Sequence, residues 1–381
     1  MIYHLFQYLQ DFPGRGLMNY LSFRAMAALV ISMLVSFFAG GAIIKVLRRH
    51  QIGETVRDLG LQGQMEKKGT PTMGGVIIIV GLLAGVLLIC DLTSIYTHLL
   101  LLTTLWCGAL GFADDYIKVF KHDKEGVRPR WKLAAQVLLG LIIAFTVCIS
   151  PEIVTDKVVT TIPFVRGHEF DYSWLSPFRG QLGVYATWAA YVVMIVVVIA
   201  ACSNGANLTD GMDGLATGTS AIVGVVLGVL AYLGGNIINS QYLGIMYIPG
   251  SGEVAVYMAA FVGALIGFLW YNTFPAQVFM GDTGSLTIGG IIGVSAVLVR
   301  KELLLPLICG IFFMESISVL IQRSWFRHTK RKYGEGRRVF LMAPLHHHYQ
   351  KQGIPEPRIV VRFWIIGIIL AVGSLALLKL R

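Results

Sequence analysis

Five carboxylates lie where hydrophobic segments of this 381-residue sequence meet short polar loops: Asp114, Asp115, Asp210, Asp213 and Asp282. Charges at the edge of apolar runs are costly there and are usually functional. Paired carboxylates can hold a divalent cation or move a proton. Adjacent aspartates point about 100° apart on a helix, so Asp114 and Asp115 can share a ligand only at a helix end. The alternative is that they are solvated interface residues balanced by Lys118 and Lys121.

The elements that must position these carboxylates are apolar helices. Hydrophobic residues make up 55% of the sequence, charged residues 14%, and the mean hydropathy is +0.69, which is typical of a polytopic membrane protein. Segments long enough to span a bilayer are predicted at residues 26–46, 75–91, 97–113, 133–150, 184–202, 215–233, 253–271, 284–299, 302–322 and 359–379. We expect an all-α helical bundle of about ten transmembrane helices that forms one domain, residues 1–381. Its glycine-bearing helices leave a homodimer open.

The net charge of +10 does not indicate a nucleic-acid partner, because 22 of the 31 Lys and Arg residues fall in alternate loops. The positive-inside rule places those loops in the cytoplasm and both termini outside. All five carboxylates then lie on the cytoplasmic side, which predicts an active-site cleft there. The longest cytoplasmic loop covers about 323–358. An external loop covers about 150–183, and its alternating residues near 158–165 predict a short hairpin.

Amide and carboxylate side chains recur at every third position in one short cytoplasmic segment: Asn204, Asn207, Asp210 and Asp213. On a helix the first three stay within roughly 120° of one another and could line one wall of a cavity. The interleaved glycines would let a ligand approach closely. The alternative is a glycine-rich turn with ordinary Asx-turn hydrogen bonds.

The next cytoplasmic segment carries Asn272, Phe279 and Asp282. Phe279 is either a core residue or a platform for a planar base. The Gly-Asp-Thr-Gly-Ser string at 281–285 is weak alone, since Asp282 or Ser285 could simply cap a helix.

Two further segments bear groups suited to phosphate. His346, His347 and His348 follow a basic run, and three consecutive histidines cannot all face one metal from a regular helix; pairing with an anionic substrate fits better. Lys67 and Thr72 precede a glycine pair that opens the second span, where a helix start could bind phosphate, although the spacing alone favours an ordinary loop. Hard oxygen ligands, cations and a stacking residue on one membrane face call for Mg²⁺ and a pyrophosphate-containing substrate.

Five motifs occur in a recognisable order: Lys-Lys-Gly-Thr-Pro-Thr-Met-Gly-Gly at 67–75, Gly-Phe-Ala-Asp-Asp-Tyr at 111–116, Asn-Leu-Thr-Asp-Gly-Met-Asp-Gly-Leu at 207–215, Phe-Met-Gly-Asp-Thr-Gly-Ser at 279–285 and Ala-Pro-Leu-His-His-His-Tyr at 343–349. With them the chain resembles the bacterial phospho-N-acetylmuramoyl-pentapeptide-transferases, of the polyprenyl-phosphate N-acetylhexosamine-1-phosphate transferase superfamily. The resemblance runs from about Phe23 to the C-terminus.

This resemblance implies a Mg²⁺-dependent enzyme of the bacterial cytoplasmic membrane with ten transmembrane helices. It would transfer phospho-MurNAc-pentapeptide from UDP-MurNAc-pentapeptide to undecaprenyl phosphate, giving lipid I and UMP in the first membrane step of peptidoglycan synthesis. Asp282 would be the principal magnesium ligand, with Asp114 and Asp115 beside the lipid phosphate. The substrate-binding residues would be Lys67, Thr72, Asn204, Asn207, Asp210, Asp213, Asn272, Phe279 and His346 to His348.

Two alternatives remain at this stage. A sister transferase would use UDP-GlcNAc with the same lipid, and the triple-histidine segment argues against it. A cation-coupled transporter would also keep carboxylates in a helical bundle, but near the bilayer midplane rather than at one face.

Overall fold

The computed structural model describes residues 1–8, 15–50, 69–121, 123, 125–150, 153, 158–162 and 169–377. Lys67 lies outside these residues. The helices are α1 (Ile2–Tyr8), α2 (Leu21–His50), α3 (Gly75–Ile89), α4 (Ile95–Phe120), α5 (Pro129–Ile149), α6 (Gly180–Thr209), α7 (Leu215–Gly234), α8 (Ile237–Leu243), α9 (Gly252–Asn272), α10 (Gly281–Leu298), α11 (Leu305–Ile308), α12 (Gly310–Tyr333), α13 (Leu345–Lys351) and α14 (Glu356–Leu377). Two short strands, β1 (Val159–Thr161) and β2 (Glu169–Asp171), pair antiparallel.

The expected polytopic helical architecture is confirmed. Among the described residues, eight helices are long and apolar enough to cross a membrane: α2, α4, α5, α6, α7, α9, α10 and α14. Each of the ten predicted spans coincides with a helix or a helix pair. The ninth, expected as one straight span, is broken: an 81° bend separates residues 302–308 from α12. The second, α3, has only 15 residues, or about 22 Å of helix.

Helix α10 forms the centre of the bundle, with all residues from Thr283 to Leu298 buried. Small residues make this packing possible. A Cβ added at Gly289 would lie 2.3 Å from the carbonyl oxygen of Cys202 on α6, and one at Gly290 would lie 2.6 Å from Cys107 Sγ on α4. Because no side chain separates the backbones, α4, α6 and α10 approach closely, and the polar ends of these three helices meet.

The strands β1 and β2 form the hairpin predicted in the 150–183 loop, although its second strand begins beyond residue 165. The hairpin is held against the link between α10 and α11. Lys301 Nζ donates to Thr161 Oγ1 at 2.5 Å, and the Tyr172 hydroxyl donates to Glu302 Oε1 at 3.1 Å. Buried polar groups satisfied in this way fix the loop at the end of the bundle opposite the N-terminus of α10.

Candidate active site

Three carboxylates from two helices converge at one end of the bundle. Asp114 and Asp115 lie near the end of α4, and Asp282 lies in the first turn of α10. Asp114 and Asp115 are buried. The three side chains each offer one oxygen, and these oxygens lie within 4.8 Å of one another. Residues more than 160 positions apart in the sequence therefore form one group with the hard oxygen ligands that Mg²⁺ prefers.

Two lysines partly neutralise this group. Lys132 Nζ, from the first turn of α5, lies 2.5 Å from Asp282 Oδ2 and 2.8 Å from Asp114 Oδ1. Lys118 Nζ lies 2.7 Å from Asp114 Oδ2 and 3.2 Å from Asp282 Oδ2. Two cations against three carboxylates leave one formal negative charge, so the group retains an attraction for an added cation.

Asp115 has a different set of partners from its neighbour. Its carboxylate accepts hydrogen bonds from the backbone N–H of Asp282 at 3.0 Å and of Thr283 at 2.8 Å, and from the Thr283 hydroxyl at 2.6 Å. These donors belong to the first turn of α10, whose N–H groups have no partner inside the helix. Asp115 therefore caps α10 from α4 and also complements the positive end of the helix dipole.

A short loop between α4 and α5 covers Asp114. The backbone N–H of Val127 donates to Asp114 Oδ1 at 2.7 Å. Gly126 adopts a positive φ of 64° and approaches the same oxygen so closely that an added Cβ would lie 2.5 Å from it. Only glycine meets both requirements without strain, and the loop brings Lys132 to the carboxylates.

The end of α6 supplies an amide side chain to the three carboxylates. Asn207 Nδ2 donates to Asp282 Oδ1 at 2.9 Å and to Ser285 Oγ at 2.9 Å. Asn204, one turn earlier, donates instead to Gln136 Oε1 at 2.8 Å. The predicted polar face of α6 is thus divided, because Asn207 faces the carboxylates while Asn204 faces α5.

A cavity of about 250 Å³ opens over these residues. Its lining includes Thr72, Asp115, Lys118, Asn207, Asp210, Phe279 and Asp282. Thr72 and Phe279 are brought there by backbone pairing between two loops, since Phe279 N donates to the Pro71 carbonyl and Gly74 N donates to the Phe279 carbonyl, each at 2.8 Å. One polar cavity therefore joins the carboxylates to an aromatic ring.

Asp213 and Asn272 hold loops and do not line this cavity. Asp213 Oδ2 accepts from the backbone N–H of Ala276 at 3.0 Å. Asn272 Oδ1 accepts from Gly214 N at 3.1 Å and from Thr217 Oγ1 at 2.8 Å, and its amide donates to the Val278 carbonyl at 3.1 Å. Because both side chains are buried and bonded to neighbouring segments, they hold in place the loops that carry Asp210 and Phe279.

The three histidines of α13 point to different partners. His346 is fully buried; its Nδ1 lies 3.2 Å from Glu315 Oε1 on α12. His347 Nδ1 lies 3.1 Å from Gln350 Oε1, and His348 Nδ1 accepts from Leu341 N at 3.1 Å. The three side chains point in different directions because consecutive residues of a helix are rotated by about 100°. His346 also links α12 to the loop at Gly211, where an added Cβ would lie 2.2 Å from His346 Nε2.

Several residues of this site were missed from the sequence. Lys132, Gln136, Ser285 and Glu315 were not predicted, and Lys118 was read only as a balancing charge. The spacing of Asp114 and Lys118 is an i, i+4 pair and could have revealed one ion pair. Lys132 gave no such signal, because it stands 150 residues from Asp282 and is one of many basic residues in its loop.

A multi-pass helical membrane protein with a buried aspartate–lysine centre at one end is the class defined by this fold and site, and sequence comparison agrees. The model of the Glycosyl transferase family 4 matches residues 97–300, and the phospho-N-acetylmuramoyl-pentapeptide-transferase signature 1 matches residues 67–79.

Full-length relatives narrow the class. Proteins named phospho-N-acetylmuramoyl-pentapeptide-transferase from Parabacteroides distasonis and Flavobacterium psychrophilum are each 53% identical to this chain, and one from Porphyromonas gingivalis is 50% identical. Each alignment covers 100% of both proteins. The chain therefore belongs to the phospho-N-acetylmuramoyl-pentapeptide-transferase family. It is a phosphotransferase, and the transporter alternative is set aside.

Proposed function

We propose that this protein catalyses the Mg²⁺-dependent transfer of phospho-MurNAc-pentapeptide from UDP-MurNAc-pentapeptide to undecaprenyl phosphate, with lipid I and UMP as products. The observation that carries the proposal is the convergence of Asp114, Asp115 and Asp282 within 4.8 Å, beside two lysines and a polar cavity. A reaction between two phosphates requires alignment and relief of charge repulsion, and this set of groups supports both.

The residues present fit a magnesium ion. Asp282 would be its principal ligand, because Asp115 is occupied by the N-terminus of α10 and Asp114 is the proposed base. The group carries oxygen ligands and one unbalanced negative charge, which suits a hard dication. When bound, the ion would neutralise charge on the pyrophosphate and the leaving group.

The remaining chemistry belongs to the protein's own side chains. Asp114 would take the proton from the lipid phosphate, and an oxygen of that phosphate would attack the phosphorus bonded to the sugar directly. The bond from this phosphorus to the bridging oxygen of the pyrophosphate would break, and UMP would leave with that oxygen. Lys118 and Lys132, already within 3.2 Å of carboxylate oxygens, would pair with phosphate oxygens as the reactants approach. Asn207 would keep Asp282 oriented through its bond to Oδ1. Direct attack predicts inversion at the transferred phosphorus, whereas a phospho-enzyme predicts retention.

The uridine end of the donor would lie over Phe279 and Asp210. Both line the cavity that contains Asp282, so a uracil stacked on the ring would keep its pyrophosphate near the carboxylates. Asp213 and Asn272 would act through the loops that they hold. His346 would act through the same loop, because it packs against Gly211, next to Asp210.

The polyprenyl acceptor would occupy an apolar groove between α6 and the bent pair α11–α12. This groove encloses about 690 Å³ and is lined mainly by apolar residues, among them Val197, Leu305, Phe313 and Leu320. Asn204 lines the groove too, one helical turn from Asn207, which contacts Asp282. A hydrocarbon chain in the groove would thus have its phosphate end beside the carboxylates.

The proposed location is the cytoplasmic membrane, with the aspartate centre facing the cytoplasm and both termini outside. The asymmetry of the basic residues supports this orientation. It also suits the chemistry, because a nucleotide donor is soluble and cannot cross the bilayer.

The deciding experiment is transfer by purified protein in detergent, with and without magnesium. UMP and lipid I should form from UDP-MurNAc-pentapeptide and undecaprenyl phosphate, and formation should stop after chelation and in an Asp282→Asn variant. A parallel reaction with UDP-GlcNAc tests the sister activity. Transfer from UDP-GlcNAc alone would reassign the donor, and full activity without any divalent cation would remove magnesium from the proposal.

A further inference from the structure

A second polar cavity, distinct from the aspartate centre, lies along the C-terminal half of α12. It encloses about 760 Å³, which is in the range of ligand pockets. Five cationic side chains line it: Arg323, Arg327, Lys330, Arg338 and Lys351. The remaining lining includes Phe326, Met342 and Ala343. We name it the α12 basic cavity.

The ordinary structural reasons for basic residues explain only part of this cavity. Lys330 lies in the last turn of α12 and complements the helix dipole there. Arg323 and Arg327 lie further from the helix end, beyond the reach of that effect. Throughout the part of the chain that the structure describes, none of these three residues forms an ion pair with a carboxylate. The cavity therefore presents positive charge that the described residues leave unneutralised.

The α12 basic cavity is connected to the aspartate centre by buried contacts. Asp210 lines the 250 Å³ cavity over Asp282, and the next residue, Gly211, packs against His346. His346 contacts Glu315 on α12, one helical turn before Val319, which lines the basic cavity. Residues of α13 and α12 therefore link the lining of the first cavity to the lining of the second.

We propose that the α12 basic cavity binds the carboxylate-bearing peptide of the donor substrate. The inference rests on the proposed function, which supplies a donor with a pentapeptide on its sugar. Arginine side chains pair with carboxylates in a two-pronged geometry, and Phe326, Met342 and Ala343 offer apolar contacts to small peptide side chains. An anionic lipid head group has the same charge, but it has no reason to lie next to the loop that carries Asp210, whereas the peptide of a bound donor does. The peptide is therefore the favoured ligand.

The test compares two donors in three forms of the full-length protein. Dissociation constants for UDP-MurNAc-pentapeptide and for peptide-free UDP-MurNAc are measured by calorimetry in detergent. The forms are wild type, the Arg323→Gln/Arg327→Gln variant and the control Arg331→Gln/Lys332→Gln. The control removes the same charge from exposed positions of the same helix that do not line the cavity.

We expect the cavity variant to bind the peptide donor at least tenfold more weakly, or by about 1.4 kcal/mol. Its affinity for UDP-MurNAc should change less than twofold, as should both affinities of the control. The KM for the peptide donor should rise with little change in kcat.

Equal weakening for both donors would overturn the proposal, as would unchanged binding of the peptide donor. If the cavity serves a lipid head group, the variant instead loses activity equally with both donors, and the loss depends on the phosphatidylglycerol content of the vesicles. Failure of the proposed function is distinguishable, because the wild type would then release no UMP from either donor.

Discussion

Replacing Lys132 by glutamine should strengthen magnesium binding and weaken catalysis. The Lys132 ammonium lies between Asp282 and Asp114, at 2.5 Å and 2.8 Å from their oxygens. It therefore competes with any cation that these carboxylates would hold. It is also one of only two cations in contact with Asp282 among the described residues. Its removal should raise the affinity for magnesium and lower the rate of phosphoryl transfer.

The size of the effect follows from the geometry. A magnesium ion bonded to Asp282 Oδ2 at about 2.1 Å would lie at most about 4.6 Å from the Lys132 Nζ. Repulsion between charges of +2 and +1 at that distance is about 1.8 kcal/mol even at the dielectric constant of water, and is larger in a partly buried site. Loss of the lysine should tighten magnesium binding at least about tenfold. The loss of one charged group at the reacting phosphates should lower kcat by about 10² to 10³.

Magnesium affinity is measured by calorimetry without substrates, and kcat by UMP release. Lys121→Gln is the matched control, because Lys121 is exposed and lies just after the end of α4, the helix that carries Asp114. The magnesium affinity of this control should change less than twofold. Thermal unfolding establishes that each variant is folded. A folded Lys132→Gln protein that binds magnesium no more tightly than wild type would refute the reasoning.

Three further outcomes can be measured in detergent. Asp115→Asn should lower the free energy of unfolding by about 2 kcal/mol, because the NH2 group of asparagine cannot accept the hydrogen bonds that α10 donates to the carboxylate. An unchanged unfolding midpoint would contradict the capping role. Burial lowers the pKa of Lys301 to about 8, whereas the unfolded lysine stays protonated to about pH 10.4. Folding then releases a proton at pH values between these two pKa values. The midpoint temperature of unfolding should therefore rise when the pH is raised from 7 to 9.5, and the rise should be smaller in Lys301→Met. Gly211→Ala should reduce transfer by displacing the buried His346 ring, and a second change, His346→Ala, should restore part of the packing; full activity of the single variant would exclude this contact.

The carboxylates that gather at the site were predictable because hydrophobicity and charge fix where helices end. Asp114 and Asp282 both stand at such ends, and a consistent topology puts them on the same side. Their partners were less predictable. Asn204 and Asn207 share a helix face in the sequence, yet one contacts α5 and the other α10, because the outcome depends on which neighbouring helix is nearer at each turn.

Tertiary packing also decided features that have no local sign in the sequence. Residues 302–322 are mostly apolar and carry no charged residue other than Glu302 and Glu315, which predicts one span, but the chain bends by 81°. Gly310 begins α12 at the bend, where an added Cβ would lie 2.5 Å from Leu370 on α14. Asp213 and Asn272 were predicted to bind substrate from the family resemblance, and that assignment stays a prediction. Their bonds to loop N–H groups show the competing demand that buried backbone be satisfied.

The capping of α10 by Asp115 has a mechanical consequence. Three hydrogen bonds join the end of α4 to the beginning of α10, and these bonds resist separation of the two helix ends. Asp114 precedes Asp115 on α4, and Asp282 is itself one of the donors on α10. Asp115 therefore restrains the distance between the proposed base, Asp114, and the proposed metal ligand, Asp282.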